Sequence, residues 1–299
     1  MATSPRPEGP SGLLVVDKAP GWTSHDVVAK LRGVLGTRKV GHAGTLDPDA
    51  TGVLLVGVGR VTRLLRYLSE AGKAYEGEIV LGVETSTLDA AGEVTATHDM
   101  AGVTSEQVRA AAAALTGDLL QVPPMVSAIK IDGKRLHQLA REGIEVDRPA
   151  RPVTVGRFDV TPTADPLVWR CEVECSSGTY IRSLAADVGT ALGGGAHLRA
   201  LRRTRSGSFT LDESVPLERA SVDGLLPPAE ALRHLAAVSA DGDLLVAIGH
   251  GKVLPLDVLG AVGHGPWRVL GPGGDLLAVY EAHKAGTAKP AVVLPSDDR

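Results

Sequence analysis

Residues 41–68 read GHAGTLDPDATGVLLVGVGRVTRLLRYL, and three textures follow one another along them. A loop punctuated by Gly41, Gly44 and Gly52 carries Asp47, the apolar run 53–58 reads as a buried strand, and residues 61–68 read as an amphipathic helix. Glycine permits backbone conformations and close approaches that a side chain forbids, while Pro48 stiffens the chain and biases Asp47 toward an extended conformation. Such a loop holds the Asp47 carboxylate in a defined direction between secondary elements. Asp, Pro and Gly are also ordinary turn residues, so the loop by itself is equally a structural turn.

Upstream, GLLVVDK (12–18) reads as a buried strand and Pro20-Gly21 as a turn. Thr23 and Asp26 have capping-box spacing, Val27, Val28, Leu31, Val34 and Leu35 repeat at helical spacing, and Gly36 is placed to end the helix. Downstream, 73–83 alternate like a strand, and Thr104 with Gln107 forms a second capping box before an alanine-rich helix that Gly117 stops. Residues 125–152 form a long excursion with a short helix around 136–141, which in a compact domain points to function. Strands near 153–160 and 168–175 then lead to a helix over 180–192. Strands interspersed with helices, without strict β-α-β alternation, predict an α+β fold. After a linker near Pro227-Pro228, the apolar stretches 244–248, 267–270 and 276–280 alternate with glycine-rich turns, the pattern of a small β-barrel beginning near residue 240.

With 299 residues, 43% of them hydrophobic, the chain can bury one substantial core and a smaller second one. No apolar run approaches the ~18 residues that cross a bilayer, and the polar, proline-rich start has no signal-peptide pattern, so a cytoplasmic protein with no membrane association is expected. The two cysteines, Cys171 and Cys175, lie four apart in WRCEVEC, whose alternation reads as a strand. At a rise of ~3.3 Å per residue they would stand roughly 13 Å apart, too far for a disulfide, and without a histidine pair they make a poor zinc site. Packing is the favoured role. A formal net charge of -4 argues against holding nucleic acid by bulk charge. Basic residues nevertheless cluster in LRRTR (201–205), at Arg60, Arg63 and Arg66, and at Arg38 and Lys39, leaving room for a local positive groove.

The whole of 41–68 resembles the catalytic motif of the TruB family of tRNA pseudouridine synthases. Further resemblances follow in the family's order: VDKAPGWTSHDVV (16–28), KAYEGEIVLG (73–82), PPMVSAIKIDGKRL (123–136), SSGTYIRSLAADVG (176–189) and AHLRALRRT (196–204). The resemblance implies a pseudouridine synthase fold with a mixed, largely antiparallel sheet flanked by helices, and a small C-terminal PUA-like β-barrel. The expected layout is a disordered leader over 1–11, a catalytic domain over 12–239 with a thumb-like insertion at about 124–152, and the PUA-like domain over 240–299. It further implies isomerisation of uridine to pseudouridine at position 55, in the T arm of tRNA. That reaction exchanges no electrons and needs no energy source, in agreement with a chain lacking a Walker loop, a dinucleotide fingerprint and metal-ligand spacing. No cofactor and no metal are expected, and tRNA, through its T stem-loop, is the expected partner of a monomer.

By its place in GTLDP, Asp47 carries over as the nucleophile, a task that suits a carboxylate able to leave again. Arg182, in GTYIRS, matches the arginine that pairs with it and keeps it charged. The target uridine must be flipped out of the folded RNA, and aromatic side chains commonly hold flipped bases. Tyr75 matches the family's tyrosine that stacks on the uracil and can act as a base at the ribose. Tyr180 and Leu201 fall where the family contacts the nucleoside, and His42 matches the histidine that occupies the space of the flipped base. Lys130 is placed as a phosphate contact, and Asp49 on the solvated rim. Two rival functions fit parts of the pattern: a noncatalytic tRNA-folding chaperone using the same cleft, and a glycoside-type hydrolase in which water completes an attack by Asp47.

Overall fold

The computed structural model describes residues 9–294 apart from 128, 132 and 145. The leader expected over 1–11 therefore lies almost wholly outside the described residues, as does the side chain of Lys130. The strand Thr51–Val58 is buried on both faces from Gly52 onward, as a continuous Val/Leu run demands. Leu54, Val56 and Val58 face one core, with Val27, Val28 and Leu31 of the helix Ser24–Val34 and with Ile181, Leu184 and Val188 of the helix Ile181–Ala191. Val53 and Leu55 face a second core, with Val61, Leu64, Tyr67 and Leu68.

This strand sits in a ten-stranded sheet whose main path runs Val215–Pro216, Gly12–Lys18, Thr51–Val58, Ala196–Ser206, Lys73–Leu81, Val168–Cys175, Arg151–Pro162, Gly117–Gln121. Two pairings are parallel, Val215–Pro216 with Gly12–Lys18 and Ala196–Ser206 with Thr51–Val58; the others are antiparallel. The sheet is thus mixed and largely antiparallel, as expected of the α+β class. Both predicted capping boxes form, Thr23 with Asp26 and Thr104 with Gln107. Cys171 and Cys175 share one strand as buried free thiols, and burial pushes them up to about 12 and about 11.

Two expectations need correction. Residues 244–248 are not a strand but lie in the helix Gly242–Gly249, where Ile248 is buried and Val246 points outward; the run DLLVAI has helical rather than alternating periodicity. The helix expected over 61–68 is a 3-10 turn, Gly59–Leu64, followed by the short α-helix Leu65–Ser69. The C-terminal part forms a five-stranded sheet, ordered Ala236–Ser239, Trp267–Leu270, Leu276–Ala282, Thr287–Val293, Leu254–Pro255. It joins the ten-stranded sheet through the second core, to which Leu276, Val279, Val292 and Leu294 contribute. Polar ties reinforce the join: Glu281 accepts from Arg66 at 2.6 Å and from the Tyr67 hydroxyl at 2.8 Å.

Gly52 is where the loop bearing Asp47 enters the sheet. Its φ is +97°, and a Cβ there would meet the carbonyl oxygen of Arg203, on the neighbouring strand, at 2.2 Å. Gly36 also has a positive φ, +62°, but open space around it. Gly36→Ala is therefore expected to cost about 1 kcal/mol, whereas Gly52→Ala adds overpacking against backbone and should cost at least about 3 kcal/mol. Urea unfolding of the two variants checks this, and equal losses would refute the close-approach reading.

Candidate active site

The loop after Ala43 is tied down from several sides. The Ser24 hydroxyl accepts from the Leu46 N–H at 2.9 Å, and the Gly21 N–H donates to Pro48 O at 3.0 Å. Lys18, fully buried, donates from Nζ to Pro48 O at 2.8 Å, Trp22 O at 2.7 Å and Ala19 O at 3.0 Å. Its three donors are spent on three carbonyls. Burial lowers its pKa to about 8, against the attraction of Asp49 and Asp47. Lys18 thus connects the strand Gly12–Lys18 directly to the residue following Asp47.

Arg182 comes from the first turn of the helix Ile181–Ala191 and is buried, its side chain only 5% exposed. Its Nε lies 3.0 Å from Asp47 Oδ2, Nη1 donates to Thr87 O at 2.9 Å, and Nη2 donates to Val126 O at 2.9 Å. Asp89 Oδ2 stands 3.4 Å from Nη1. Each nitrogen of the guanidinium therefore has a partner, and four of its five N–H donors are accounted for, which offsets much of the cost of burying it. The Asp47 side chain is 43% exposed to the cleft. Burial nonetheless raises its pKa above the usual carboxylate value, with Arg182 opposing and Asp89 reinforcing the rise. Any ligand that displaces water from the cleft strengthens both influences, since each grows as water leaves.

Asp47, Tyr75, Tyr180, Arg182 and Leu201 line one cavity of about 260 Å³. It falls below the ~300–1,000 Å³ of drug-sized ligand pockets, a size suited to one small planar group. A second cavity, of about 320 Å³, opens on the far side of Asp47, Arg182 and Leu201 and is lined also by Asp89, Val126 and Leu198. Tyr75 is buried at the cavity wall, and burial raises its pKa, which keeps the phenol neutral. Tyr180 precedes the helix, its backbone clamped at both polar groups by the buried Gln121: the Tyr180 N–H donates to Oε1 at 2.7 Å and Tyr180 O accepts from Nε2 at 3.1 Å. Leu201 both packs on the first core and lines the two cavities. It follows Ala200, whose φ of +53° interrupts the pairing of the strand with Lys73–Leu81, a strain of about 1–2 kcal/mol for a side chain of this hand.

His42 is not among the residues lining the first cavity. It sits on the strand Val40–Ala43, edge-on to His25 with ring centroids 5.2 Å apart. Asp49 is exposed, on the rim. The LRRTR cluster is not an open positive groove: Arg202 pairs with Asp17 at 2.8 Å, Arg205 pairs with Glu174 at 2.6 Å, and Arg203 is fully buried. Asp89 and Gln121 carry no role in the sequence-based assignment, and Lys18 and Arg203 enter it only as members of the stretches VDKAPGWTSHDVV and LRRTR. A short D-A-A-G turn was the one local sign of Asp89, and a capping or turn residue was its ordinary reading.

The class that this sheet and cleft define is that of the pseudouridine synthases. Residues 32–181 match the family described as "TruB family pseudouridylate synthase (N terminal domain)", and residues 182–222 match "tRNA pseudouridylate synthase B C-terminal domain". The chain is 46% identical to the tRNA pseudouridine synthase B of Arthrobacter sp. (strain FB24), covering 97% of this chain and 98% of that one. It is 48% identical to the enzyme of the same name from Streptomyces coelicolor, over 95% and 97% of the two chains. Among solved structures, a Cbf5-Nop10-Gar1 complex has a chain matching with a TM-score of 0.73 at 27% identity, over 95% of this chain and 84% of that one. The chain belongs to the TruB family of pseudouridine synthases.

Burial lowers the His42 pKa from 6.5 to about 4, with His25 and Arg203 adding to the effect. On acidification the unfolded chain binds this proton first, so the contribution of His42 to stability is complete above pH 6.5 and is lost as pH falls from 6.5 to 4. The melting temperature of His42→Asn should therefore fall less over that interval than that of the unaltered protein. Parallel declines would contradict the burial of a neutral imidazole.

Proposed function

We propose that the protein isomerises uridine to pseudouridine at position 55 in the T arm of tRNA, with Asp47 as nucleophile. The observation that carries the reading is the ion pair of Asp47 with the buried Arg182 at 3.0 Å, on the wall of a cavity that also presents Tyr75 and Tyr180. The tRNA pseudouridine synthase B name of the relatives supports the substrate class.

The reaction breaks the bond from N1 to C1′, turns the uracil and forms a bond from C5 to C1′, while the C5 hydrogen leaves as a proton and N1 regains one. Asp47 supplies the carboxylate that bonds transiently to the substrate, and Arg182 keeps it ionised as the base displaces water. Tyr75 offers a buried aromatic face on which the flipped uracil stacks, and Tyr180 and Leu201 bound the nucleoside. His42 fills the space that the flipped base leaves in the RNA. The C-terminal sheet, as a PUA-like domain from about residue 240, extends the grip on the tRNA. In this reading the protein acts as a monomer in the cytoplasm, without a metal or cofactor.

A tRNA transcript bearing uridine tritiated at C5 tests the reading. The unaltered protein should release tritium to water and leave the base on the RNA, and Asp47→Ala should release none. Retention of the label by the unaltered protein while it binds tRNA tightly would favour a binding protein. Release of free uracil would favour a hydrolase.

A further inference from the structure

Arg203 is among the largest fully buried side chains of the protein, with no exposed surface at all. Its hydrogen-bond partners are uncharged: Nε donates to Val53 O at 2.6 Å, Nη2 to Gly44 O at 3.0 Å and Nη1 to Thr45 O at 3.5 Å. A cation held in the interior by neutral dipoles alone is costly, and an apolar side chain of similar volume would be the cheaper filler. The placement shows what the charge and the fork are for.

The acceptors Gly44 and Thr45 stand where the Asp47 loop begins, and Val53 stands where it ends. One guanidinium therefore spans the base of the loop. The Arg203 backbone lies between the same two parts of the site, in register with Gly52 on one neighbouring strand and with Tyr75 on the other. Arg203 thus fixes the spacing of the nucleophile loop from the tyrosine both through its backbone and through its side chain. Its charge also opposes the rise in pKa that burial imposes on Tyr75.

We propose that Arg203 is a positioning residue for the isomerisation, holding the Asp47 loop and the strand bearing Tyr75 in one reactive geometry from the wall of the cavity that all three line. The proposal rests on the functional reading above. Both its charge and its planar fork take part, because lysine could not reach Gly44, Thr45 and Val53 together.

The test is single-turnover pseudouridine formation on a tRNA transcript with enzyme in excess, for the unaltered protein, Arg203→Lys and Arg203→Gln. The plateau rate reports folded molecules only, whereas partial unfolding shifts the half-saturating enzyme concentration. Arg203→Gln should lower the plateau at least 100-fold with half-saturation within threefold. Arg203→Lys, retaining the charge, should recover at least tenfold of that loss yet stay at least tenfold below the unaltered protein. Should Arg203→Gln fail to fold, the plateau of Arg203→Lys decides alone. A plateau within threefold of the unaltered protein, or a loss appearing only in half-saturation, would overturn the proposal while leaving the functional reading standing. An unaltered protein that makes no pseudouridine would instead sink the functional reading itself.

Discussion

The contact between Arg182 and Asp47 joins two groups in unequal surroundings, and that inequality organises the molecule around it. The arginine is almost wholly buried and the aspartate stands half open to the cleft. Burying a guanidinium costs several kcal/mol unless its nitrogens find partners. Thr87 O, Val126 O and Asp89 meet the two nitrogens that Asp47 leaves free. Four separate stretches of chain must therefore converge on one side chain: the helix Ile181–Ala191, the turn around Asp89, the segment after Pro123-Pro124, and the loop after Ala43. The convergence makes the carboxylate directional as well as charged, which is what the proposed role of Asp47 as nucleophile requires.

The sheet is what allows such convergence. Because Thr51–Val58 is covered on both faces, the loop that precedes it cannot shift without disturbing two cores. Lys18 and Ser24 hold the same loop from the side of the first strand and helix, and Arg203 holds it from the side of the strand Ala196–Ser206. Three buried cations, Lys18, Arg182 and Arg203, thus surround one loop, each bound largely to backbone carbonyls. A backbone with its carbonyls turned toward cations is preorganised, and it leaves the Asp47 carboxylate paired to Arg182 and facing the cleft.

Much of this was legible in the sequence, where a local signal determines the local outcome. The helix Ser24–Val34 follows from its capping box and apolar spacing, and the buried strand from its unbroken Val/Leu run. Asp47, Tyr75, Tyr180, Arg182 and Leu201 were placed by resemblance, and the fold does bring all five to one cavity. What the sequence could not show depends on long-range pairing. Arg203 reads as one more member of a basic cluster until the strand acquires neighbours on both edges, and only then does it turn into the interior. Asp89 and Gln121 are similarly ordinary in their own segments, since each acts on a residue at least 59 positions away. The run 244–248 failed for a different reason, because a short apolar stretch does not by itself distinguish a helix from a strand.

The central claim is that the ion pair between Asp47 and Arg182 sets the rate of the chemistry and contributes little to holding the RNA. Its most direct test is Arg182→Gln, assayed for tRNA affinity and for the single-turnover rate of pseudouridine formation. Loss of a preorganised charge of this kind is worth roughly 10²–10³ in rate, and the affinity should stay within a few-fold of the unaltered protein. A rate within tenfold of the unaltered protein, or a fall in affinity that accounts for the whole loss, would contradict it.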